Sequence, residues 1–341
     1  DYLRGKGLEQ GRFDAEAAFR KLRRRNSRRV MIRVGSVAAV LVLIVGIVVL
    51  YKGNLSQKKN VPDLTLGVIS ALQPGTNKAI LHLADGRELV LNDALRAKIE
   101  TKEGVVEVDS MGVVYGIKVD SVATEKVQEY HVMTIPRGGE FHLTLADGTQ
   151  VWLNSETELR FPVHFAGGER KVYLKGEAYF EVTRDTNRPF YVVTDAVRVK
   201  VYGTEFNVNT YGIGGTQTTL VSGKVGIRGK GSGREYMMEP SQLAEFDVNG
   251  EFKGIRNVNA GTYTAWKEGF FVFENEGLED ILNRLSRWYD VDVFYGSEKV
   301  KGYHFTGHME KYEDVEIILN AISKMVGVHF TIKDRTIVVT E

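Results

Sequence analysis

His304 and His308 are the two histidines whose spacing could serve metal chemistry, because they lie four residues apart in "YHFTGHME". The surrounding pattern predicts a strand, on which such residues share a face but lie about 13 Å apart, at roughly 3.3 Å per residue. That separation is too large for two ligands of one zinc ion. The chain also contains no Cys, which excludes disulfides, thiolate metal sites and a catalytic thiol. We expect no metal site and no cofactor.

Other residue patterns give little support for an enzyme. "GIGGTQ" and "GKGSGRE" are rich in Gly, but neither leads from a strand into a helix as a phosphate-binding loop would. Trp152, Trp266 and Trp288 could stack on sugars, although their spacing favours positions in a core. No paired carboxylates and no Ser/His/Asp set have a recognisable spacing, so an exported hydrolase ranks last among the functions considered.

An unbroken apolar run lies near the start of the chain and reads "VGSVAAVLVLIVGIVVL" from Val34 to Leu50. With Tyr51 it is 18 residues long, about 27 Å as a helix, which is close to the thickness of a bilayer's hydrocarbon core. A buried core helix and a cleaved signal peptide are the alternatives. A core helix rarely carries so unbroken an apolar run, and the apolar region of a signal peptide is usually shorter and is followed by a small-residue cleavage site. The pattern therefore predicts a single transmembrane helix over residues 34–51.

The charges beside this run predict its orientation. Arg28, Arg29 and Arg33 belong to a basic stretch before it, whereas only three Lys follow closely after it. The more basic side stays in the cytoplasm, so residues 1–33 are expected inside and the bulk of the chain in the periplasm. Residues 1–33 carry 11 Lys and Arg against 4 Asp and Glu, a net of +7, and since the whole chain is +1, the remainder is −6. The basic excess thus suits the inner membrane's anionic lipid, and we expect no nucleic-acid partner.

The exported part begins with short strands and tight turns. "LHLADGRELVLN" (81–92) and "LTLADGTQVWLN" (143–154) each predict a hairpin, because Asp-Gly between alternating apolar runs favours a tight turn. The two copies suggest either two related pieces of one β layer or strands that pair across the interval. Alternation continues through "RKVYLKGEAYFEV", and no helix of useful length is predicted between Gly139 and Gly254. The pattern predicts a mainly β domain, either solenoid-like or sandwich-like.

The pattern changes near Gly261 to strands that alternate with helices. "GLEDILNRLSRWYD" and "DVEIILNAISKMVG" have apolar residues at helical spacing, each starting after an acidic residue and ending near Asp290 or Gly327. Strand-like segments flank both helices. The predicted order is β-α-β-β-α-β-β over residues 261–341, a small α+β domain.

Several long stretches resemble the FecR-type anti-sigma factors of cell-surface signalling. They are "PRGGEFHLTLADGTQVWLN", "VKVYGTEFNVNTY", "TTLVSGKVGIRG" and "AWKEGFFVFENEGLEDILNRLSRWYDVDVFY". The resemblance, to the Bacteroidota branch, covers roughly residues 136–341. The resulting organisation is a cytosolic juxtamembrane tail (1–33), the transmembrane helix (34–51), a periplasmic linker with a first β segment (52–130), a FecR-like β domain (131–258) and a C-terminal domain (261–341) similar to the secretin/TonB short fold (STN).

The resemblance implies a signal relay. The signalling domain of an outer-membrane TonB-dependent transducer, often SusC-like in this branch, would engage the periplasmic part, and the cytosolic end would control an ECF sigma factor. Polysaccharide or iron uptake would be the regulated process. Residues 1–33 resemble the tail that follows the sigma-binding helices, which are therefore expected to precede Asp1. The alternative is a membrane-anchored periplasmic scaffold that binds glycan or protein without a sigma partner.

The resemblance also draws attention to Gly203 and Thr204 in "VYGTEFNV". Some relatives are thought to cleave their own chain at a Gly-Thr step, where the Thr hydroxyl attacks the preceding carbonyl and water cleaves the resulting ester. Thr204 would be the nucleophile and Gly203 the acyl donor. The alternative is that the strand entry needs Gly for its backbone conformation.

Overall fold

The computed structural model describes residues 72–92, 94–100, 104–109, 112–117, 128–212 and 214–341. The predicted transmembrane helix and both of its flanks lie outside these residues. Within the described ranges, no helix has the length and apolar content needed to cross a membrane.

Two-thirds of the described residues form a β domain. Its strands are β1 (Thr76–His82), β2 (Glu88–Asn92), β3 (Ala97–Glu100), β4 (Gly104–Asp109), β5 (Gly112–Ile117), β6 (Tyr130–Ile135), β7 (Gly139–Thr144), β8 (Gln150–Leu153), β9 (Thr157–Pro162), β10 (Arg170–Lys175), β11 (Glu177–Glu181), β12 (Phe190–Val193), β13 (Val197–Val201), β14 (Glu205–Gly212), β15 (Gly215–Ser222), β16 (Val225–Gly229), β17 (Tyr236–Met238), β18 (Gln242–Phe246) and β19 (Phe252–Asn257).

These strands form two sheets between which the chain passes repeatedly. Sheet I has the spatial order β2-β1-β6-β9-β10-β12-β13-β16-β17. Sheet II has the order β3-β4-β5-β7-β8-β11-β14-β15-β18-β19. Neighbours are antiparallel except β10 with β12 and β5 with β7. A short parallel pairing of β1 with β7 joins the two sheets.

The two sheets share one apolar core. Phe180 in β11 of sheet II stacks on Phe206 of the same sheet and also contacts Phe190 of sheet I, with ring centroids 6.2 Å apart in the latter pair. All three side chains are fully buried, and each contributes about 2–3 kcal/mol by leaving water. The β domain is therefore a sandwich, which confirms that alternative of the sequence prediction.

Both predicted hairpins form, and their turns are alike. The Gly86 N–H donates to the Leu83 carbonyl (3.0 Å) and the Gly148 N–H to the Leu145 carbonyl (2.9 Å). Both glycines have positive φ, +88° and +82°, which is the left-handed conformation that a three-residue hairpin loop requires. The first hairpin, β1–β2, lies in sheet I and the second, β7–β8, in sheet II. The prediction that both belong to one layer is thus wrong, whereas β1 and β7 do pair across the interval.

The aspartates of the two hairpin turns have different surroundings. Asp85 pairs with Arg87, and both side chains are largely exposed, at 43% and 53%. Asp147 pairs at 2.7 Å with Arg170, and their side chains are only 7% and 1% exposed. Arg170 also donates to the carbonyls of Thr183 and Arg188. The second turn therefore carries a buried ion pair that fixes the start of β10.

The C-terminal domain has the predicted order of elements. They are α1 (Ala260–Thr264), a 3₁₀ turn (Ala265–Glu268), β20 (Phe270–Gly277), α2 (Leu278–Tyr289), β21 (Asp292–Tyr295), a second 3₁₀ turn (Glu298–Gly302), β22 (His304–Glu310), α3 (Val315–Val326), β23 (His329–Lys333) and β24 (Thr336–Thr340).

Two small sheets enclose the helices of this domain. β20 pairs with β22, and β24 lies between β21 and β23. Leu282 and Leu285 of α2 pack with Ile318 and Ile322 of α3 in a core separate from that of the sandwich. The helices end before Asp290 and Gly327 as predicted, and Asp314 caps the start of α3. The expected acidic cap of α2 is wrong, because Gly277 precedes that helix and offers no side chain.

A buried histidine predicts how the stability of the sandwich depends on pH. His131 in β6 is 1% exposed, and its Nδ1 lies 2.8 Å from the Tyr115 hydroxyl. Burial lowers the pKa of His131 from 6.5 to about 4; the Asp85 carboxylate opposes this effect, and the Arg87 guanidinium adds to it. Between these values the unfolded chain binds a proton that the folded protein does not. The free energy of unfolding should therefore fall as the pH drops through this window, by at most about 3 kcal/mol.

Denaturant unfolding at pH 7.5 and pH 4.5 tests this expectation. His131→Leu should lose the pH-dependent component, because the replacement cannot bind a proton in either state. His329→Gln is the matched control, since that histidine is exposed on β23. A His131→Leu variant with the same pH dependence as the parent protein would contradict the assignment.

Candidate functional site: the joint between the two domains

The turn from Pro136 to Glu140 connects sheet I to sheet II and faces the C-terminal domain. The Gly139 N–H donates to the Pro136 carbonyl (3.1 Å), and Gly138 has a φ of +65°. This tight conformation projects the side chains of Arg137 and Glu140 toward α2 and β22. The turn and its contacts are called the joint below.

Arg137 binds the last turn of α2. Its Nη2 donates to the carbonyl and the hydroxyl of Ser286, both at 3.0 Å, and to the carbonyl of Val291. Its Nε lies 3.2 Å from the Asp290 carboxylate. The carbonyls at a helix C-terminus lack partners within the helix and carry partial negative charge, so a guanidinium there is favourable. The Gly138 N–H also donates to the Arg287 carbonyl (2.7 Å).

Glu140 binds a buried lysine of the C-terminal domain. Lys311 follows β22, is 1% exposed, and its Nζ forms an ion pair with Glu140. The same ammonium lies 3.8 Å from the centre of the Trp288 ring and 3.4 Å from the Trp266 carbonyl. The Tyr312 hydroxyl donates to the other oxygen of Glu140. Burial lowers the pKa of Lys311, and the Glu140 carboxylate opposes that effect. The contact between the sandwich and the C-terminal domain therefore depends on the Glu140–Lys311 ion pair.

Two tryptophans fill the space around the ion pair. Trp288 is 1% exposed and its Nε1 donates to the Lys311 carbonyl (2.7 Å). Trp266 is also buried, and its Nε1 donates to Asn207 of sheet II (3.2 Å). Both thus have the core positions that the sequence favours. Trp152 is half-buried beside His142, with Lys267 over its ring.

The start of the described chain also belongs to the joint. Leu72 is buried in the core of the C-terminal domain, although it precedes β1 of the sandwich. Gly75 touches Trp288 so closely that a Cβ at this position would lie 2.5 Å from carbons of the ring. Only glycine allows that approach. The first described residues, 72–75, are therefore held by the C-terminal domain.

The predicted self-cleavage residues lie away from these contacts, between β13 and β14. Gly203 has a φ of +157°, and a Cβ there would lie within 3 Å of Arg184. Thr204 is buried, and its hydroxyl donates to the Lys224 carbonyl (3.0 Å). The remaining predicted positions, Arg28, Arg29, Arg33, Val34 and Leu50, lie outside the described residues. The positive φ of Gly203 and its close approach to Arg184 support a conformational role for this glycine.

We therefore expect the purified protein to keep its Gly203–Thr204 bond. The Thr204 hydroxyl proton is engaged by a carbonyl, which is too weak a base to activate the oxygen. Intact-mass spectrometry after prolonged incubation should give one species, the same for the parent chain and Thr204→Ala. A fragment starting at Thr204 in the parent chain, absent from Thr204→Ala, would contradict this expectation.

Sequence reasoning did not identify Arg137, Glu140 or Lys311 as a set. The only available signal was the Arg-Gly-Gly-Glu turn, whose two charged residues flank a pair of glycines. Lys311 carried no signal, because a lysine at the end of a strand is normally exposed.

Comparison with known proteins agrees with this architecture. Residues 131–226 match the family model described as FecR protein, and residues 270–339 match the one described as FecR, C-terminal. Two crystal structures, at 1.65 and 2.50 Å resolution, of a "putative anti-sigma factor" from Parabacteroides distasonis ATCC 8503 are similar. Each has a TM-score of 0.57 and 29% sequence identity to this chain. The matched region covers 62% of this chain and 98% and 99% of the two crystallised chains. No curated protein matches.

The sandwich and the α+β domain docked on it thus define a FecR-type module of two domains. The chain belongs to the FecR family.

Proposed function

We propose that the protein is a single-pass inner-membrane anti-sigma factor that relays a signal from the periplasm to a cytosolic ECF sigma factor. The family matches and the Parabacteroides neighbour support the anti-sigma role. The apolar run at residues 34–50 and the basic flank before it support the single span and its orientation. The outer-membrane partner is the signalling domain of a TonB-dependent, SusC-like transducer.

The joint is the observation that carries this proposal. Leu72 and Gly75 contact the C-terminal domain, and only 20 residues separate Leu72 from Tyr51 at the end of the predicted span. A partner that changes the docking of the C-terminal domain therefore acts on the segment leading to the membrane. A scaffold without a sigma partner has no need for this coupling.

A transcription experiment in the native host tests the relay. Gly75→Val places a side chain against Trp288 and should release the C-terminal domain. We expect transcription by the ECF sigma factor under its control to stay at one level, so that the inducing condition no longer changes it. Arg87→Ala is the matched control, because this exposed residue lies outside the joint and should leave induction intact.

Two results would contradict the proposal. Reporter fusions that place residues 1–33 and residue 341 in the same compartment would exclude a single-span relay. Normal induction in Gly75→Val, with the variant protein present and its C-terminal domain released as judged by limited proteolysis, would exclude the joint from signalling.

A further inference from the structure

The outer face of sheet I carries a set of aligned cations. In β9, β10 and β13, alternate residues fill the core, and the residues between them point outward. Pairing with these strands places Tyr191 and Val193 of β12 and Arg228 of β16 on the same outward side. Strand register places Arg160, Tyr173, Val193, Arg198 and Arg228 in one row across the five strands. Lys171, Tyr191 and Lys200 form the adjacent row. The basic face is defined by its six cations: Arg160, Lys171, Lys175, Arg198, Lys200 and Arg228.

Tyrosines on this face hold the arginines in place. The Arg198 guanidinium lies 3.7 Å from the centre of the Tyr191 ring. Arg160 lies over Tyr130 at 4.1 Å and Tyr173 at 5.0 Å. A stacked guanidinium keeps its N–H edges available for an anion and loses little freedom when one binds.

Few carboxylates offset these charges. Glu158 is the outward acid on the five strands. Glu169 and Glu235 lie beside them; Glu169 pairs with both Lys171 and Arg198, and Glu235 lies next to Gly226. Six cations and three carboxylates leave a net charge of +3. The chain after residue 33 has a net charge of −6, so this local excess does not reflect overall composition.

The opposite face of the sandwich is acidic, and the C-terminal domain covers part of it. The charged outward residues of β7, β11, β14 and β18 in sheet II are all glutamates: Glu140, Glu177, Glu181, Glu205 and Glu245. Lys311 binds Glu140, and Lys267 lies over Trp152 and Tyr179. The helices of the described chain pack on sheet II and on the C-terminal strands, which leaves the basic face uncovered by them.

We infer that the basic face lies on the anionic phospholipid headgroups of the membrane that anchors the chain. This inference rests on the proposed single-span function. The 20 residues between Tyr51 and Leu72 reach at most about 70 Å, so the sandwich remains close to the bilayer. Each net positive charge near an anionic surface favours contact, and a net of three gives about a hundred-fold preference for this orientation at low salt. The flat row of cations suits a planar layer of phosphates.

This orientation directs the acidic face, with the docked C-terminal domain, away from the membrane. The domain that contacts the start of the described chain would thus be presented toward the outer membrane. Lipid charge would then set how readily a periplasmic partner reaches the joint.

Single labels can test this orientation, because the chain contains no native cysteine. The full-length chain carrying Val193→Cys, in the basic face, or Lys253→Cys, on the exposed side of sheet II, is labelled with bimane. Each is reconstituted into phosphatidylcholine vesicles with or without 30% phosphatidylglycerol, with a nitroxide on a trace of headgroups. We expect quenching of the Val193 label to be at least twofold greater with phosphatidylglycerol, and quenching of the Lys253 label to be unchanged.

The contact should also respond to charge. Added 0.5 M NaCl, or the combined changes Arg160→Gln, Arg198→Gln and Arg228→Gln, should remove the extra quenching without changing Tm. Equal quenching of both labels, or equal quenching in both vesicles, would overturn the inference. The inference would also be overturned if the quenching of the Val193 label did not depend on the lipid, while added polygalacturonate shielded the label from a soluble quencher. That result would assign the face to a soluble acidic polymer.

Different results would overturn the single-span function and the membrane contact of the basic face. Loss of the chain from the vesicles on washing at pH 11 would overturn the single-span function and the inference that rests on it. A chain that withstands the wash but gives no face-specific quenching would overturn the inference alone.

Discussion

Glu140→Gln is expected to destabilise the docked protein by about 3 kcal/mol. The substitution leaves the Lys311 ammonium without its counter-charge at a position that is 1% exposed, and an unpaired buried charge is costly. The pKa of Lys311 in the folded variant should fall further below 10.5. Since the unfolded chain then binds more protons than the folded one, the stability of the variant should rise with pH up to that value. Denaturant unfolding followed by tryptophan fluorescence measures both effects.

Two further variants make this result specific to the ion pair. Glu140→Gln combined with Lys311→Met should recover much of the lost stability, because neither replacement carries a charge and no unpaired buried charge remains. Lys98→Met removes a cation from the exposed Lys98–Glu107 pair of β3 and β4 and should change little. If Glu140→Gln has no larger effect than Lys98→Met, the joint does not depend on this pair.

Asp147→Asn is expected to lower the free energy of unfolding of the sandwich by about 3 kcal/mol. Asparagine keeps the shape of the hairpin turn and can still accept the Thr149 N–H bond that Asp147 accepts at 3.1 Å. It removes the charge that compensates the buried Arg170 guanidinium. Chemical denaturation at pH 7 checks the size of the loss.

The first hairpin provides the matched control for Asp147. Asp85→Asn makes the same change in a turn of the same geometry, where the partner Arg87 is exposed. Its effect should be small, because water compensates an exposed guanidinium. Equal effects of the two substitutions would show that the turn, and not the buried charge, determines the stability.

Local patterns predicted much of this fold. The Asp-Gly turns, the alternating strands and the β-α-β-β-α-β-β order depend on short-range chemistry, and the structure has all three. The assignment of the two hairpins to different sheets was not predictable. It depends on which distant strands pair with β1 and β7, and identical turns carry no information about those partners.

The joint was less predictable for a similar reason. Trp288 was expected in a core, and it is buried, but its contact with Gly75 spans more than two hundred residues. Glu140 and Lys311 have the residue types of an exposed surface. Lys311 is buried and Glu140 is largely covered only because two domains meet there, which sequence periodicity cannot indicate. The transmembrane helix and its orientation stay predictions.

Leu72 determines which contacts would bear tension on the molecule. β1 pairs with β2 over Lys78–His82 and with β6 over Ile80–His82. Pulling on the start of β1 therefore acts along these strands, and the hydrogen bonds of both pairings must break together. Leu72 and Gly75 are held by side-chain packing beside a single short turn. A force applied between Leu72 and the C-terminal domain would therefore open the joint well before it unfolds the sandwich. The protein could yield mechanically at one place and close again without refolding.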